Sequence, residues 1–386
     1  MKKILIIHTK YKNLGGEDVA VENEYNFLKE HNNVEILYFD NNKLSFFSDL
    51  FGFITNSNYK SNKIVKNTLK TFEPDLVIVH NTWFKANLGI FKILKKYNIK
   101  TFIKLHNFRY FCTSHFLFKH HLQNNNQCSS CGAINNKKTI FNKYFNDSYL
   151  KSLAVLLYGR KYIDILNDKN TNLIVLTEHH KKFIEKHLYR EKVVTVYPNV
   201  LDTKKWSNKE NNYDHGNYIL YAGRISKEKG VENLIESFIN TQIKDLNLKI
   251  IGIGPELNYL KNRFENYKNI LFLEELSNLR VVQEIKNSKG VITATKLFEG
   301  QPTLLCEASL LGIPSIFPRT GGIEEFFPPR YKYMFEQFNY KDLEIKINNF
   351  VSSKDNKIIG ENNKQYMEKY LDKENMLAKL NENIIK

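Results

Sequence analysis

Two carboxylates, Glu299 and Glu307, stand eight positions apart in Leu297-Phe298-Glu299-Gly300-Gln301-Pro302-Thr303-Leu304-Leu305-Cys306-Glu307-Ala308. A strand-like run, Gly290-Val291-Ile292-Thr293-Ala294, precedes them, Pro302 suits a first helical turn, and Glu307 falls inside a helix expected to continue to Leu311. That places Glu299 at a strand's carboxyl end, where open α/β sheets take their ligands. The helix N-terminus beside it offers free N–H groups and a positive dipole end to phosphate. Carboxylates do not bind phosphate, but they accept hydrogen bonds from hydroxyls. The combination suits a ligand that joins sugar, diphosphate and ribose.

The cations for such a ligand lie about seventy residues earlier, as a count along the sequence. Tyr218-Ile219-Leu220-Tyr221-Ala222 reads as a buried strand and runs into Gly223-Arg224-Ile225-Ser226-Lys227-Glu228-Lys229-Gly230. Arg224 brings a rigid fork to phosphate oxygens and Lys229 a compact point charge, on a strand expected to neighbour that of Glu299. No Asp-x-Asp motif occurs in the chain. The charge of a departing diphosphate is therefore expected to fall on Arg224, Lys229 and the helix start at Pro302, Thr303 and Leu304, without a catalytic metal.

Together, "AGRISKEKG" and "LFEGQPTLLCEASLLGIPSIFPRTGGIEE" resemble the donor half of family 4 glycosyltransferases in residues, order and separation. The resemblance implies the GT-B fold: an α/β protein of two Rossmann-like domains facing a cleft, with a C-terminal helix crossing back to the first domain. It implies an acceptor-binding domain over 1–206, a nucleotide-sugar-binding domain over 207–365 and the returning helix over 366–386. It further implies a retaining enzyme in which the departing phosphate oxygen takes the acceptor's proton. In that picture Glu299 grips the donor sugar and Glu307 the ribose, and Gly16, Gly223, Arg224, Lys229, Gly300, Pro302, Thr303 and Leu304 complete the donor contacts. His106, in His106-Asn107-Phe108-Arg109 after the strand Thr101–Leu105, is expected to face the reacting sugar and joins Glu299, Arg224 and Lys229 as catalytic. Gly15, Gly16, Asn107 and Arg109 would share the acceptor side.

Other readings stay open at these positions. Double displacement with Glu299 as nucleophile is the mechanistic alternative. His106 would otherwise cap its strand end, Arg109 would otherwise make a surface salt bridge, and the glycines of Asn13-Leu14-Gly15-Gly16-Glu17 would otherwise form an ordinary strand-to-helix turn. A nucleotide-sugar epimerase, a sugar phosphorylase or a non-catalytic sugar-nucleotide binder would carry the same donor motifs. The loop Gly300-Gln301-Pro302-Thr303 departs from the Gly-Phe-Gly of many family members, which leaves the sugar open.

Short β-type runs organise the rest: Lys3–Ile7, Val34–Tyr38, Leu76–His80, Thr101–Leu105, Leu173–Leu176 and Val193–Tyr197, then Tyr218–Ala222, Leu248–Ile251, Ile270–Phe272, Val291–Ala294 and Ser315–Phe317. Helical segments between them give a doubly wound, parallel pattern, repeated on either side of a polar linker at Ser207–Asn217. One last helical stretch is expected from about Gly360 to Ile385.

At 386 residues with 42% hydrophobic content, the chain can build two cores. No apolar run reaches membrane-helix length, and Ile4-Leu5-Ile6-Ile7 is too short for a signal-peptide core, so a cytoplasmic protein is expected. Four cysteines fit a reducing compartment. Three of them, Cys112, Cys128 and Cys131, form a C-x15-C-x2-C pattern. With His115, His120 or His121 they are candidates for a structural zinc, and the alternative is reduced thiols. The net charge of +16 suits an anionic membrane surface at the inner face, while no recognised nucleic-acid motif is present. The segments Leu44–Phe53 and Phe108–His121, aromatic and basic, would face a lipid-linked glycan acceptor or else pack on the core.

Overall fold

The computed structural model describes residues 1–11, 15–41, 51–52, 55–108, 148–201 and 216–385, apart from the side chains of 152 and 156. Arg109, the three patterned cysteines with their histidines, and the aromatic segments Leu44–Phe53 and Phe108–His121 beyond Phe108, Phe51 and Gly52 lie outside those residues. The chain divides into a first unit, Met1–Leu201 with Lys373–Lys386, and a second unit, Asp202–Asp372. Each is a Rossmann-like α/β layer built on an all-parallel six-stranded sheet.

In the first unit the strands are β1 Lys3–Lys10, β2 Asn33–Asp40, β3 Leu76–Val79, β4 Lys100–Leu105, β5 Thr171–Val175 and β6 Val194–Val196, in the order β2-β1-β3-β4-β5-β6. Ile4 to Ile7 and Leu76 to Val79 are buried without alternation, as strands covered on both faces must be. The register runs Ile4 against Val34 and Leu76, then Leu76 against Lys100. Because β2 and β3 leave β1 in opposite directions, the topology switches at β1 and β3. A crevice forms outside the carboxyl ends of strands at such a point.

The second unit repeats the device with β7 Tyr218–Ala222, β8 Asn247–Ile251, β9 Ile270–Leu273, β10 Gly290–Ile292, β11 Ser315–Arg319 and β12 Met334–Glu336, in the order β12-β11-β10-β7-β8-β9. Its switch point falls between β7 and β10, which pair in parallel, Gly290 against Ile219. The edge strand β12 was not expected. Met-Phe-Glu is too short to show a period; it pairs with β11, Phe335 opposite Pro318, and Phe335 is buried in the core of the second unit.

The single helical stretch expected over Gly360–Ile385 is broken. The helix Asn356–Tyr370 ends before Leu371-Asp372, and a separate helix, Lys373–Leu380, follows with a further turn at Asn381–Ile385. The return to the first unit thus starts at Lys373, later than the expected 366. Close packing explains the difference. A side chain at Gly360 would meet the Gly312 carbonyl oxygen at 1.9 Å. Asn363 donates to the Tyr331 hydroxyl at 3.3 Å, and the Tyr366 hydroxyl donates to the Glu325 carbonyl at 3.2 Å, all within the second unit. Met376, Leu380 and Ile384 instead enter the core around Ile4, Ile6, Leu76, Ile78 and Phe102.

Candidate functional site

In the second unit, Lys229 sits on a short 3-10 turn, Lys227–Lys229, after β7, and Glu299 in the loop after β10. Lys229 Nζ lies 2.7 Å from Glu299 Oε1, and the Thr295 hydroxyl donates to the same oxygen at 2.8 Å. The backbone fixes both loops. Lys296 N–H donates to the Glu228 carbonyl at 2.9 Å, and Gly322 N–H to the Glu299 carbonyl at 2.8 Å. Gly230 turns the chain with φ 67°, and any Cβ there would stand 2.1 Å from the Ala294 carbonyl oxygen, so only glycine fits.

The helix Thr303–Leu310 begins at Pro302 with no side-chain cap, which leaves its first N–H groups for an incoming acceptor such as phosphate. Glu307, in that helix, is 7% exposed, and burial pushes its carboxyl up to about 7. No donor among the described residues reaches that carboxylate. Gly300 is buried, Thr303 and Leu304 are half-buried, and Gly223 and Arg224 are exposed. Arg224 makes no ion pair among the described residues, while its carbonyl accepts from the buried Tyr221 hydroxyl at 2.9 Å. Of the residues expected to hold the donor, the structure joins Lys229 to Glu299 directly; Glu307 follows in the helix that begins four residues after Glu299. Thr295 was missed. Its only signal is its place four residues before Glu299.

In the first unit, Gly15 precedes the helix Gly16–Lys29, and its N–H donates to Asp18 Oδ2 at 2.8 Å, while Asp18 Oδ1 lies 2.8 Å from His8 Nε2. Glu17 accepts from the Tyr11 hydroxyl at 2.8 Å and from Asn107 Nδ2 at 3.4 Å. Asn107 thus reaches Glu17, the residue that follows the two glycines. His106 follows β4 and contacts His80, which follows β3: Nε2 and Nδ1 are 2.8 Å apart, and the rings are stacked at 5.1 Å. Burial first, then nearby cations, holds both histidines well below the ordinary range and so neutral near pH 7.

Beneath them Lys104 and Glu24, both without solvent exposure, form an ion pair of 2.6 Å. His80 Nε2 lies 3.9 Å from Glu24 Oε2. His8, Asp18, Glu24, His80 and Lys104 all escaped the sequence reading. The available signal was Lys104 in Thr-Phe-Ile-Lys-Leu, a charge inside a strand buried on both faces, which demands a buried partner.

The family model described as "Glycosyl transferases group 1" matches residues 202–382. The amylovoran biosynthesis glycosyltransferase AmsD of Erwinia amylovora is 28% identical over 172 residues, covering 43% of this chain and 46% of that protein. The UDP-Gal:alpha-D-GlcNAc-diphosphoundecaprenol alpha-1,3-galactosyltransferase of Escherichia coli is 26% identical over 241 residues, 58% of this chain and 60% of its own length. The chain spans about half the length of the curated relatives it matches. Among solved structures, sucrose-phosphate synthase from Thermosynechococcus elongatus superposes with a TM-score of 0.73 at 13% identity, over 99% of this chain and 98% of that one. The fold shared with it is GT-B.

Proposed function

We propose that this chain, whose residues 202–382 belong to the glycosyl transferases of group 1, is a retaining, metal-independent hexosyltransferase that moves a sugar from a nucleotide diphosphate to a glycan acceptor. The observation that carries the reading is the Lys229–Glu299 pair at the β7/β10 switch point, beside an uncapped helix start and the buried, unpartnered Glu307. The helix N–H groups and Lys229, with Arg224, take the diphosphate and stabilise its charge as it departs. Glu299 takes the sugar hydroxyls and Glu307 the ribose hydroxyls. His106, Asn107, Gly15 and Gly16 serve the acceptor side.

Two relatives support a substrate class for this chain. One is a galactosyltransferase whose name specifies a UDP-sugar and a diphosphoundecaprenol-linked acceptor, and another serves amylovoran biosynthesis. We assign a UDP-hexose donor and a lipid-linked surface-polysaccharide intermediate to this chain. Peripheral binding at the inner membrane face goes with that acceptor and with the net charge of +16. Among the described residues no helix is long and apolar enough to cross a membrane.

Melting-temperature and turnover measurements across UDP-, GDP-, ADP- and dTDP-sugars test the reading. A UDP-hexose at about a hundred times its Kd should add about 2.7 kcal/mol of stability, and sugar should pass to a diphosphate-lipid acceptor but not to phosphate. A flat melting temperature with every nucleotide sugar would overturn it.

A further inference from the structure

The His80–His106 contact carries information beyond proximity. Two ring nitrogens 2.8 Å apart share one proton, so one ring donates and the other accepts. If His80 Nδ1 donates, His80 Nε2 is a bare lone pair. If His106 Nε2 donates, His80 carries its own hydrogen on Nε2. The other end of His80 decides between these. Its Nε2 is fully buried, has no hydrogen-bond partner among the described residues, and lies 3.9 Å from Glu24 Oε2. A carboxylate oxygen is acceptor-only, so a lone pair there would set two buried acceptors against each other, whereas an N–H sets a donor toward an acceptor. Lys104 makes its hydrogen bond to Glu24 and makes none to His80.

We propose that Glu24, acting through His80, fixes His106 as the Nε2–H tautomer, so that His106 turns an unprotonated Nδ1 outward as a hydrogen-bond acceptor for a ligand hydroxyl. The His106 side chain is half-buried, and Nδ1 takes no hydrogen bond from any described residue. Glu24 and His80 are then positioning residues: neither touches the ligand, and their effect is the choice of nitrogen that His106 presents. A donor-bearing His106 would take any oxygen, carbonyl and phosphate included; the acceptor form excludes those and takes proton-bearing groups such as a sugar hydroxyl. That the hydroxyl belongs to donor or acceptor sugar rests on the transferase reading above, but the tautomer does not.

Nitrogen NMR of the full chain carrying ring-labelled histidine reads the tautomer directly, with His106→Gln supplying the assignment. The expected result is a protonated Nε2 and a pyridine-like Nδ1 for His106. Removing Glu24 alone strands Lys104 in the core and can unfold the protein, so the decisive variant is the double Glu24→Met/Lys104→Met, which removes both charges and the acceptor oxygens at similar volume. There His106 should lose its single tautomer and show averaged or exchanged ring shifts, and turnover should fall with the donor KM little changed. Protonated Nδ1 in the wild type, or an unaltered His106 signal in the double variant, overturns the proposal. Because the shifts are read without substrate, failure of the transferase reading would show separately as absent turnover with the expected tautomer in place.

Discussion

Glu307 is the residue whose environment has the clearest thermodynamic consequence. Its carboxyl titrates at about 7 when folded against 4.5 ordinarily, because burial disfavours the charged form. Between those two values the folded state holds more protons than the unfolded one, so stability falls as pH rises through the window. The total is on the order of 3 kcal/mol. Glu307→Gln should therefore flatten the dependence of unfolding free energy on pH between 4.5 and 7, and parallel slopes in the two proteins would refute the burial argument. Hydroxyls donating to the carboxylate favour its ionised form, so donor affinity should rise from pH 6 to pH 8 in the wild type and stay level in the variant. Lys229 gives a second residue-scale expectation. Its ammonium is engaged by Glu299, and both side chains are partly exposed, so the pair is worth only about 1 kcal/mol. Glu299→Gln releases it. UDP alone should bind as well or a few-fold better in that variant while sugar transfer is lost, and Lys229→Ala should weaken UDP and transfer together. Titration calorimetry with UDP distinguishes the two.

At the scale of elements, the loops rather than the strands position the chemistry, and glycines set the loops. Gly230 and Gly312 both have positive φ, but a Cβ at Gly230 meets the Ala294 carbonyl at 2.1 Å while one at Gly312 meets nothing within 4 Å. Gly312→Ala should cost about 1 kcal/mol, the ordinary penalty of a left-handed alanine. Gly230→Ala should cost several-fold more, because the collision is with backbone, and should also displace Lys229 and reduce donor binding; equal melting temperatures in the two variants would contradict this. The same scale shows what the sequence made legible. β7 was bounded to the residue because Tyr-Ile-Leu-Tyr-Ala is a buried run ended by glycine, and the Glu299 loop was placed because Pro302 marks the helix start. The polar floor beneath His106 was not legible. His8 lies in β1, Glu24 in the helix Gly16–Lys29, His80 just past β3 and Lys104 in β4, and only the β1-β3-β4 order brings them together.

For the whole molecule, the C-terminal segment links distant parts of the sequence into one core. Met376, Leu380 and Ile384 are buried with Ile4, Ile6, Leu76 and Ile78, and Lys100 Nζ donates to the Ile384 carbonyl at 3.1 Å. The sequence suggested a return but misplaced its start, because helical periodicity alone does not reveal that Gly360 and Asn363 are pinned to Gly312 and Tyr331. The first unit is thus closed by residues that follow the second unit in the chain, and its core is complete only with Met376, Leu380 and Ile384 in place. Leu380→Ala removes a fully buried side chain and should destabilise the first unit by about 2–5 kcal/mol. The second unit contains none of that cluster, so the loss should be unequal. Hydrogen exchange followed by mass spectrometry resolves the two. Peptides from β1, β3 and β4 should exchange faster in the variant, while those from β7, β8 and β10 keep their wild-type protection. Equal acceleration in both sets would mean that the two units open as one, and that the C-terminal segment stabilises the whole chain rather than the first core.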